Sequence, residues 1–330
     1  MFNKIQTILH RATKKDKLNI LTFPTHERYE TCLSKTGHSF YAWGGPNIKR
    51  WNSTYASIPD NYTILNTNRK DNQLYKEIGI DLVLSQSKFG QFTVAKQLSH
   101  YLGAPLISLE HTLPMDSWSI QQLESMRNME GDINVFISEY SREQWGWSEN
   151  DALVVHHGID TDLFNPGNKQ RENRCLSVVN DWVNRDYFCG YRIWKNATKN
   201  LPVYVLGDTP GLSKPAKDIN ELVEAYQSSR IFINTSTVSP IPTALLEAMS
   251  CGCACVSTAT CMIPEIIENG VNGLISNDPQ ELRGYIELLL KDENKAKEMG
   301  EAARQTILNK FGLEHFTTNW NVIFDKAMEI

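Results

Sequence analysis

The chain has 330 residues, 41% hydrophobic and 22% charged, with a formal net charge of −5. This suits a globular protein of two domains at about 150 residues each, and no apolar run reaches the roughly 18 residues that a membrane span needs. The acidic balance without a dense Lys/Arg block argues against a dedicated nucleic-acid groove, and seven irregularly spaced cysteines argue for reduced thiols in a cytoplasmic protein rather than a disulfide scaffold.

The first segment, "MFNKIQTILHRATKKDK", has basic residues but no continuous apolar core, so no cleaved signal peptide is expected. Phe2, Ile5, Ile8 and Leu9 fall on one helix face. That face reads as docked on protein; a peripheral contact at the membrane surface is the alternative, and stable insertion is not expected. Short β-rich runs follow: "LNILTF" (18–23), "IDLVLS" (80–85), "APLISLEHT" (104–112), "INVFIS" (133–138) and "ALVVHHGI" (152–159). Five more occupy the second half: "CLSVV" (175–179), "VYVLGD" (203–208), "IFINTS" (231–236), "CACVST" (253–258) and "NGLIS" (272–276). The runs are continuously apolar rather than alternating, the mark of parallel strands covered on both faces. Helical patterns lie between them. In "GQFTVAKQLSHYLG", Phe92, Ala95, Leu98 and Leu102 share a face and Gly103 is the stop.

This alternation predicts a doubly wound α/β architecture, with ligands at the carboxyl ends of the strands. The polar stretch "GIDTDLFNPGNKQREN" (158–173) is the best linker between two such sets. Asp278-Pro279-Gln280-Glu281 predicts a capping-box start with Pro at the first helical position, and two amphipathic helices then close the chain. The sequons at Asn52, Asn61 and Asn196 carry no meaning in a cytoplasmic protein.

Residues 231–252, "IFINTSTVSPIPTALLEAMSCG", concentrate the chemistry. A strand ends near Ser236, a polar loop follows, and a helix begins near Pro242. Pro240 and Pro242 have no N–H, so the donors left are the amides of Ile241 and then of Thr243 and Ala244. Free amides at a helix N-terminus suit an anion, above all a phosphate. Glu247, one turn further on the same face, is of the type that takes a ribose diol in dinucleotide folds. Locally the same residues also fit a plain helix start with an acid that suits its dipole.

The wider pattern "INTSTVSPIPTALLEAMSCGCACVSTATCMIPEIIENGVNGLI" closely resembles the nucleotide-sugar signature of retaining GT-B glycosyltransferases of the family-4 type (glycosyl transferases group 1). "PLISLEHT", "VFISEYSREQW", "VVHHGIDTDLFNP" and the C-terminal "KFGLEHFTTNWNVIF" resemble further segments of that family, in the same order, over most of residues 80–325. The resemblance implies two Rossmann-like domains with parallel sheets facing across a cleft. An acceptor-side domain would span 1–163, a donor domain 164–310, and a last helix, 311–330, would cross back.

The resemblance also implies roles. Glu247 would take the ribose hydroxyls of the donor nucleotide, and His111 would sit beside the donor sugar. The family's phosphate-binding Arg and Lys fall on Asn180 and Arg185, so only Arg185 keeps a cation for the leaving diphosphate. The helix N-terminus, with the amides of Thr243 and Ala244 and the dipole, or else Arg192, would carry the remaining charge compensation. The family's paired glutamates stand eight positions apart, and Ser239 occupies the earlier one, which puts the identity of the donor sugar in question. The family's Gly-Gly loop after the first strand is replaced by "FPTHERYE", where His26 and Arg28 are candidate acceptor or phosphate contacts. Trp43-Gly44-Gly45-Pro46, after a strand, reads as an acceptor-side loop or an ordinary turn.

The expectation is a metal-independent retaining glycosyltransferase using a nucleotide-diphosphate sugar, UDP- or GDP-linked, with no cofactor. Its acceptor would be a saccharide, lipid-linked group, protein or, as the minority reading, a modified base. The catalytic set would be His111, Arg185 and Glu247, and the donor set Arg185, Ser239, Ile241, Thr243, Ala244 and Glu247. The alternatives are a sugar-nucleotide epimerase of the same fold and a non-catalytic nucleotide-sugar-binding protein. Three features read as plain. Asp160-Thr161-Asp162 is a turn rather than a metal-binding triplet. His156-His157 alternate across a strand and share no ion. "CGCACVSTATC" (251–261) is a small-residue strand with its flanks rather than a metal or redox cluster.

Overall fold

Among the described residues of the computed structural model, every pairing between strands is parallel, and the strands form two sheets of seven and five. The structure describes residues 16–44, 50–65 and 78–330. The amphipathic face from Phe2 to Leu9 and the Gly45-Pro46 dipeptide lie outside them. Two compact units divide the chain: Met1–His156 with Phe316–Ile330, and His157–His315.

The first unit holds β1 (Asn19–Thr22), α1 (Glu27–Ser34), β2 (Ser39–Ala42), β3 (Tyr62–Ile64), β4 (Leu82–Ser85), α2 (Phe92–Leu102), β5 (Leu106–Glu110), α3 (Ile120–Arg127), β6 (Ile133–Phe136), α4 (Glu139–Gln144) and β7 (Leu153–Val154). The sheet order is β3-β2-β1-β4-β5-β6-β7, so the winding reverses between β1 and β4, the usual place for a ligand. Strands β4 and β5 are buried at every position, as their unbroken apolar runs require. Strands β2 and β3 are absent from the ten expected runs. They lie toward one edge and are short; β2 alternates half-buried and buried positions and β3 exposes two of its three, so neither shows a long apolar signature. Helix α2 ends as expected, with Gly103 in the left-handed region at φ 62°.

The second unit holds β8 (Glu172–Val178), α5 (Asp186–Cys189), α6 (Tyr191–Ala197), β9 (Val203–Leu206), α7 (Ile219–Ser228), β10 (Ser229–Asn234), α8 (Thr243–Ser250), β11 (Ala254–Ser257), α9 (Ile263–Ile266), β12 (Leu274–Ile275), α10 (Pro279–Lys291) and α11 (Glu293–Lys310). Its order is β12-β11-β10-β8-β9, with the reversal between β8 and β10. A core of Trp182, Ile231, Ile233, Val256, Leu282 and Ile286 lies between sheet and helices. The C-terminal helix, Leu313–Met328, follows, and its residues from Phe316 onward pack with the first unit. Among the described residues no helix is long and apolar enough to cross a membrane.

The capping box expected at α10 is half formed. Asp278 accepts from the amides of Gln280 and Glu281, and Pro279 is the first helical residue. The reciprocal contact is intercepted by Ser276, whose hydroxyl donates to Glu281 at 2.6 Å and accepts from the Asp278 amide at 3.0 Å.

Two arginines hold the far end of α8. Arg171, one residue before β8, donates from Nη1 to the carbonyls of Tyr226 and Ser229 at 3.0 and 2.7 Å, and from Nη2 to that of Cys251. Arg304 on α11 donates to Ser250 O at 2.6 Å and Phe164 O at 3.3 Å. Cations on the last carbonyls of a helix satisfy acceptors that have no intrahelical partner and complement the dipole. A Cβ on Gly300 of α11 would stand 2.2 Å from Gly252 O, so the two backbones meet at a distance only glycine allows.

Arg171→Met should lower stability by roughly 3 kcal/mol, because it strands several enclosed carbonyls at once. Arg171→Lys should recover only part of the loss, since a point charge cannot span the three carbonyls. An unchanged urea midpoint in the Met variant would refute the anchor.

In the first unit, Glu30 on α1 is fully buried and accepts from the Tyr62 hydroxyl at 2.8 Å. Burial pushes its pKa from 4.5 up to about 7. Between those values the folded chain holds a proton that the unfolded chain has released, so the contribution of this site to stability falls as pH rises through that window. Glu30→Gln should abolish this slope, worth roughly 3 kcal/mol across the window. Urea midpoints of both proteins at about pH 5 and about pH 7.5 check it, and parallel slopes would count against it.

Candidate functional site

In the second unit the loops after β8, β9 and β10 leave the same end of the parallel sheet, beside the reversal between β8 and β10. The loop after β10 reaches Pro242, which stands at the N-cap and offers no side-chain cap. Among the described residues the first α8 amide to find an acceptor is that of Leu245, on Pro242 O at 2.9 Å; the amides of Thr243 and Ala244 have none. Both residues are half-buried, while Ile241 is buried. An uncapped helix start with two open N–H groups is a place for an anion.

Glu247 lies one turn inside, 1% exposed, with Oε2 accepting from the Tyr226 hydroxyl at 2.9 Å. Tyr226, on α7, was not among the sequence candidates. Its spacing with Leu222 and Val223 reads as core, and nothing local signals a partner 21 residues away.

The loop carrying Arg185 is sewn to the loop carrying Ser239. The amides of Thr237 and Val238 both donate to Phe188 O at 3.0 and 3.3 Å, and the Thr237 hydroxyl donates to Tyr187 O. Gly190, at φ 61°, is required here, because a Cβ would stand 2.0 Å from Thr235 O. Arg185 itself is exposed, with Nη1 donating to Asn180 O at 3.3 Å. Arg192, a further expected source of positive charge, is engaged: Nε donates to Asp186 Oδ2 at 2.5 Å. That pair, led by the Arg192 amide on Asp186, holds the Asp186 carboxyl below the usual carboxylate range.

Asn180, standing where the family carries a cation, has a structural partner. Its Oδ1 accepts from the Asp208 amide at 2.8 Å, and Asp181 N donates to Asp208 O at 2.7 Å. Asp181 adopts φ 49°, a conformation that Asp tolerates better than most residues. Ser239 is half-buried in the loop before Pro240.

His111 belongs to the first unit, just past β5. The residue as a whole is half-buried; its ring stands edge-on to Tyr29 at 4.5 Å and has Nε2 at 3.3 Å from Gln86 Oε1. Loss of solvent around the ring, and secondarily the nearby His26, lower its pKa to about 3, so the imidazole is neutral at physiological pH. His26 caps α1, accepting from the Arg28 amide.

Asp160 Oδ1 accepts from the amides of Asp162 and Leu163, the geometry of a turn. Cys251, Cys253 and Cys255 are all buried, and burial raises each thiol pKa. Among the described residues no group of three His, Cys, Asp or Glu is placed to hold a metal ion.

Residues 215–306 match the family model described as Glycosyl transferases group 1. That span includes Tyr226, Ser239, Ile241, Thr243, Ala244 and Glu247, and leaves out His111 and Arg185. The chain is 30% identical over 107 residues to N-acetyl-alpha-D-glucosaminyl L-malate synthase of Bacillus anthracis, covering 32% of this chain and 28% of the relative. It is 28% identical over 120 residues to alpha-maltose-1-phosphate synthase of Mycobacterium tuberculosis, covering 34% and 29%. The matched stretch thus spans less than a third of each curated relative. In structure it resembles Anabaena HepE in complex with UDP (TM-score 0.72, 16% identity, 94% of this chain and 100% of that one). It also resembles the sucrose-phosphate synthase of Thermosynechococcus elongatus (TM-score 0.72, 13% identity, 95% and 100%). The chain therefore has the GT-B fold, and the stretch that matches the Glycosyl transferases group 1 model includes the helix that bears Glu247.

Proposed function

We propose that the chain is a retaining glycosyltransferase that transfers a sugar from a nucleotide-diphosphate donor, held by the second unit, to an acceptor held by the first. The observation that carries this reading is the open, proline-bounded start of α8 with a buried carboxylate one turn inside it. The group 1 match across that helix supports it. So do the names of the sequence relatives, both synthases of glycosylated products, and the UDP and UDP-glucose held by structures of the same fold.

As the glycosidic bond to the diphosphate breaks, negative charge grows on the leaving group. Preorganised donors aimed at that charge lower the barrier most. Arg185 and the amides of Thr243 and Ala244 would supply them, without a metal, while Glu247 takes the ribose hydroxyls. His111 would stand beside the donor sugar as a neutral ring. Ser239 in place of a glutamate leaves room and polarity for a donor sugar different from the family's usual one. Asn180, occupied in tying two loops together, favours a second reading in which the chain binds the nucleotide sugar without transferring it.

A panel of UDP-, GDP-, ADP- and dTDP-sugars, read by thermal shift, should identify one stabilising nucleotide, undiminished by EDTA. Arg185→Ala should weaken the nucleoside diphosphate about tenfold or more and the bare nucleoside little, as expected for one charge-assisted contact to phosphate. Glu247→Ala should weaken both. No stabilisation by any nucleotide, or unchanged binding in both variants, rejects the proposal. Binding without release of nucleoside diphosphate, whatever acceptor is supplied, selects the second reading.

Tyr226→Phe offers a finer check on Glu247. The wild type should prefer the ribonucleotide over its 2′-deoxy form, and removing the hydroxyl that holds the carboxylate should narrow this preference several-fold. An unchanged ratio would mean that Glu247 does not read the ribose.

A further inference from the structure

At the reversal point of the first sheet, a buried chain of polar groups runs from α1 to His111, and the proposed chemistry uses only its last member. Gln86, fully enclosed just past β4, commits both protons of its side-chain amide. Nε2 donates to Glu30 Oε1 at 2.5 Å and to Thr22 Oγ1 at 2.8 Å. The other oxygen of Glu30 accepts from Tyr62, and the Thr25 backbone also bonds to the carboxylate. With its nitrogen turned toward a carboxylate, the amide oxygen of Gln86 faces the opposite way. There it meets His111 Nε2 at 3.3 Å and the Thr25 hydroxyl at 3.5 Å. Above about pH 7, where Glu30 is ionised, reversing the amide would set its oxygen against the carboxylate, acceptor against acceptor, inside the core.

An amide oxygen only accepts. The hydrogen between Gln86 and His111 therefore belongs to the ring. A neutral imidazole carries one proton, so placing it on Nε2 leaves the lone pair on Nδ1.

The spacing of the two partners is held independently. Glu110, buried at the end of β5, accepts from the Lys88 amide on one oxygen at 2.8 Å. On the other it accepts from the amide and hydroxyl of Thr112 at 2.8 and 2.6 Å. One carboxylate thus ties the segment after β4 to the segment after β5, with Gln86 and His111 on either side. Tyr29, edge-on to the imidazole, has its hydroxyl fixed by the indole N–H of Trp320 at 3.2 Å.

We propose that Gln86, clamped by Glu30, is a positioning residue that holds His111 as the Nε2–H tautomer, with Nδ1 the ring's only lone-pair nitrogen. Its bearing on transfer rests on the reading of His111 as the group beside the donor sugar. A ring held this way acts there as an acceptor of hydrogen, not as an acid. Burial keeps the ring neutral and so removes the doubly protonated form from competition.

The test is nitrogen-15 NMR of the full chain labelled on histidine rings, with His111 assigned by the signal lost in His111→Phe. Above about pH 7, with Glu30 ionised, the wild type should show His111 protonated on Nε2, with a slowly exchanging ring proton. Glu30→Gln, which keeps an acceptor oxygen for the Gln86 amide, should retain that signal. Gln86→Leu and Glu30→Leu should speed the exchange about tenfold or more, as loss of one buried hydrogen bond implies. A wild-type ring protonated on Nδ1 overturns the proposal, and this observation needs no variant to fold. A folded Gln86→Leu protein whose ring proton exchanges no faster overturns it as well. The ring state is read without any nucleotide, so failure here and failure of UDP to bind remain separate outcomes.

Discussion

The donor-side reading depends on one asymmetry in α8: its last carbonyls are held by two guanidinium groups, and its first amides are held by nothing in the described chain. Arg171 comes from the edge of β8 and Arg304 from α11, so the helix is fixed from two directions in space and from two distant points in sequence. With the C-terminal half-charge of the dipole neutralised inside the protein, the N-terminal half remains uncompensated where a ligand can reach it. Two prolines keep that end clear by removing competing donors and preventing the helix from growing backward.

The loops around this end behave as one piece. The segment bearing Arg185 is bonded to the segment bearing Ser239, and the turn after β8 is joined to the turn after β9 by Asn180, Asp181 and Asp208. A position that carries a cation in the resembled family here carries a side chain committed to the framework. In the proposed reading, the change exchanges one attraction for phosphate against a stiffer rim and would place more of the demand on Arg185 and the helix. Preorganisation of this kind matters most where charge develops late in a reaction.

Much of this organisation was legible in the sequence, for reasons that particular residues make plain. Buried parallel strands announce themselves by unbroken apolar runs, and "IDLVLS" or "IFINTS" could hardly be anything else. Gly103 and Pro242 mark helix boundaries because each acts through its own backbone. The edge strands escaped notice because β3 buries only its first residue, Tyr62, and so carries no pattern. The capping box misled because Ser276, two residues outside the motif, competes for the same carboxylate. Tyr226 and Gln86 were invisible for a deeper reason. Their partners lie 21 and 56 positions away, and a hydrogen bond between distant residues leaves no spacing to read.

The cysteine-rich strand under α8 has a chemical consequence of its own. Cys175, Cys189, Cys251, Cys253 and Cys255 are buried, whereas Cys32 and Cys261 keep some exposure. Nucleophilic attack by sulfur requires the thiolate, and enclosure withholds both the ionised form and the reagent. The five enclosed thiols thus form a silent register of the folded state. An alkylating agent would record the two accessible positions at once and the rest only as molecules open, so the strand that resembles a redox centre serves instead as a clock for unfolding.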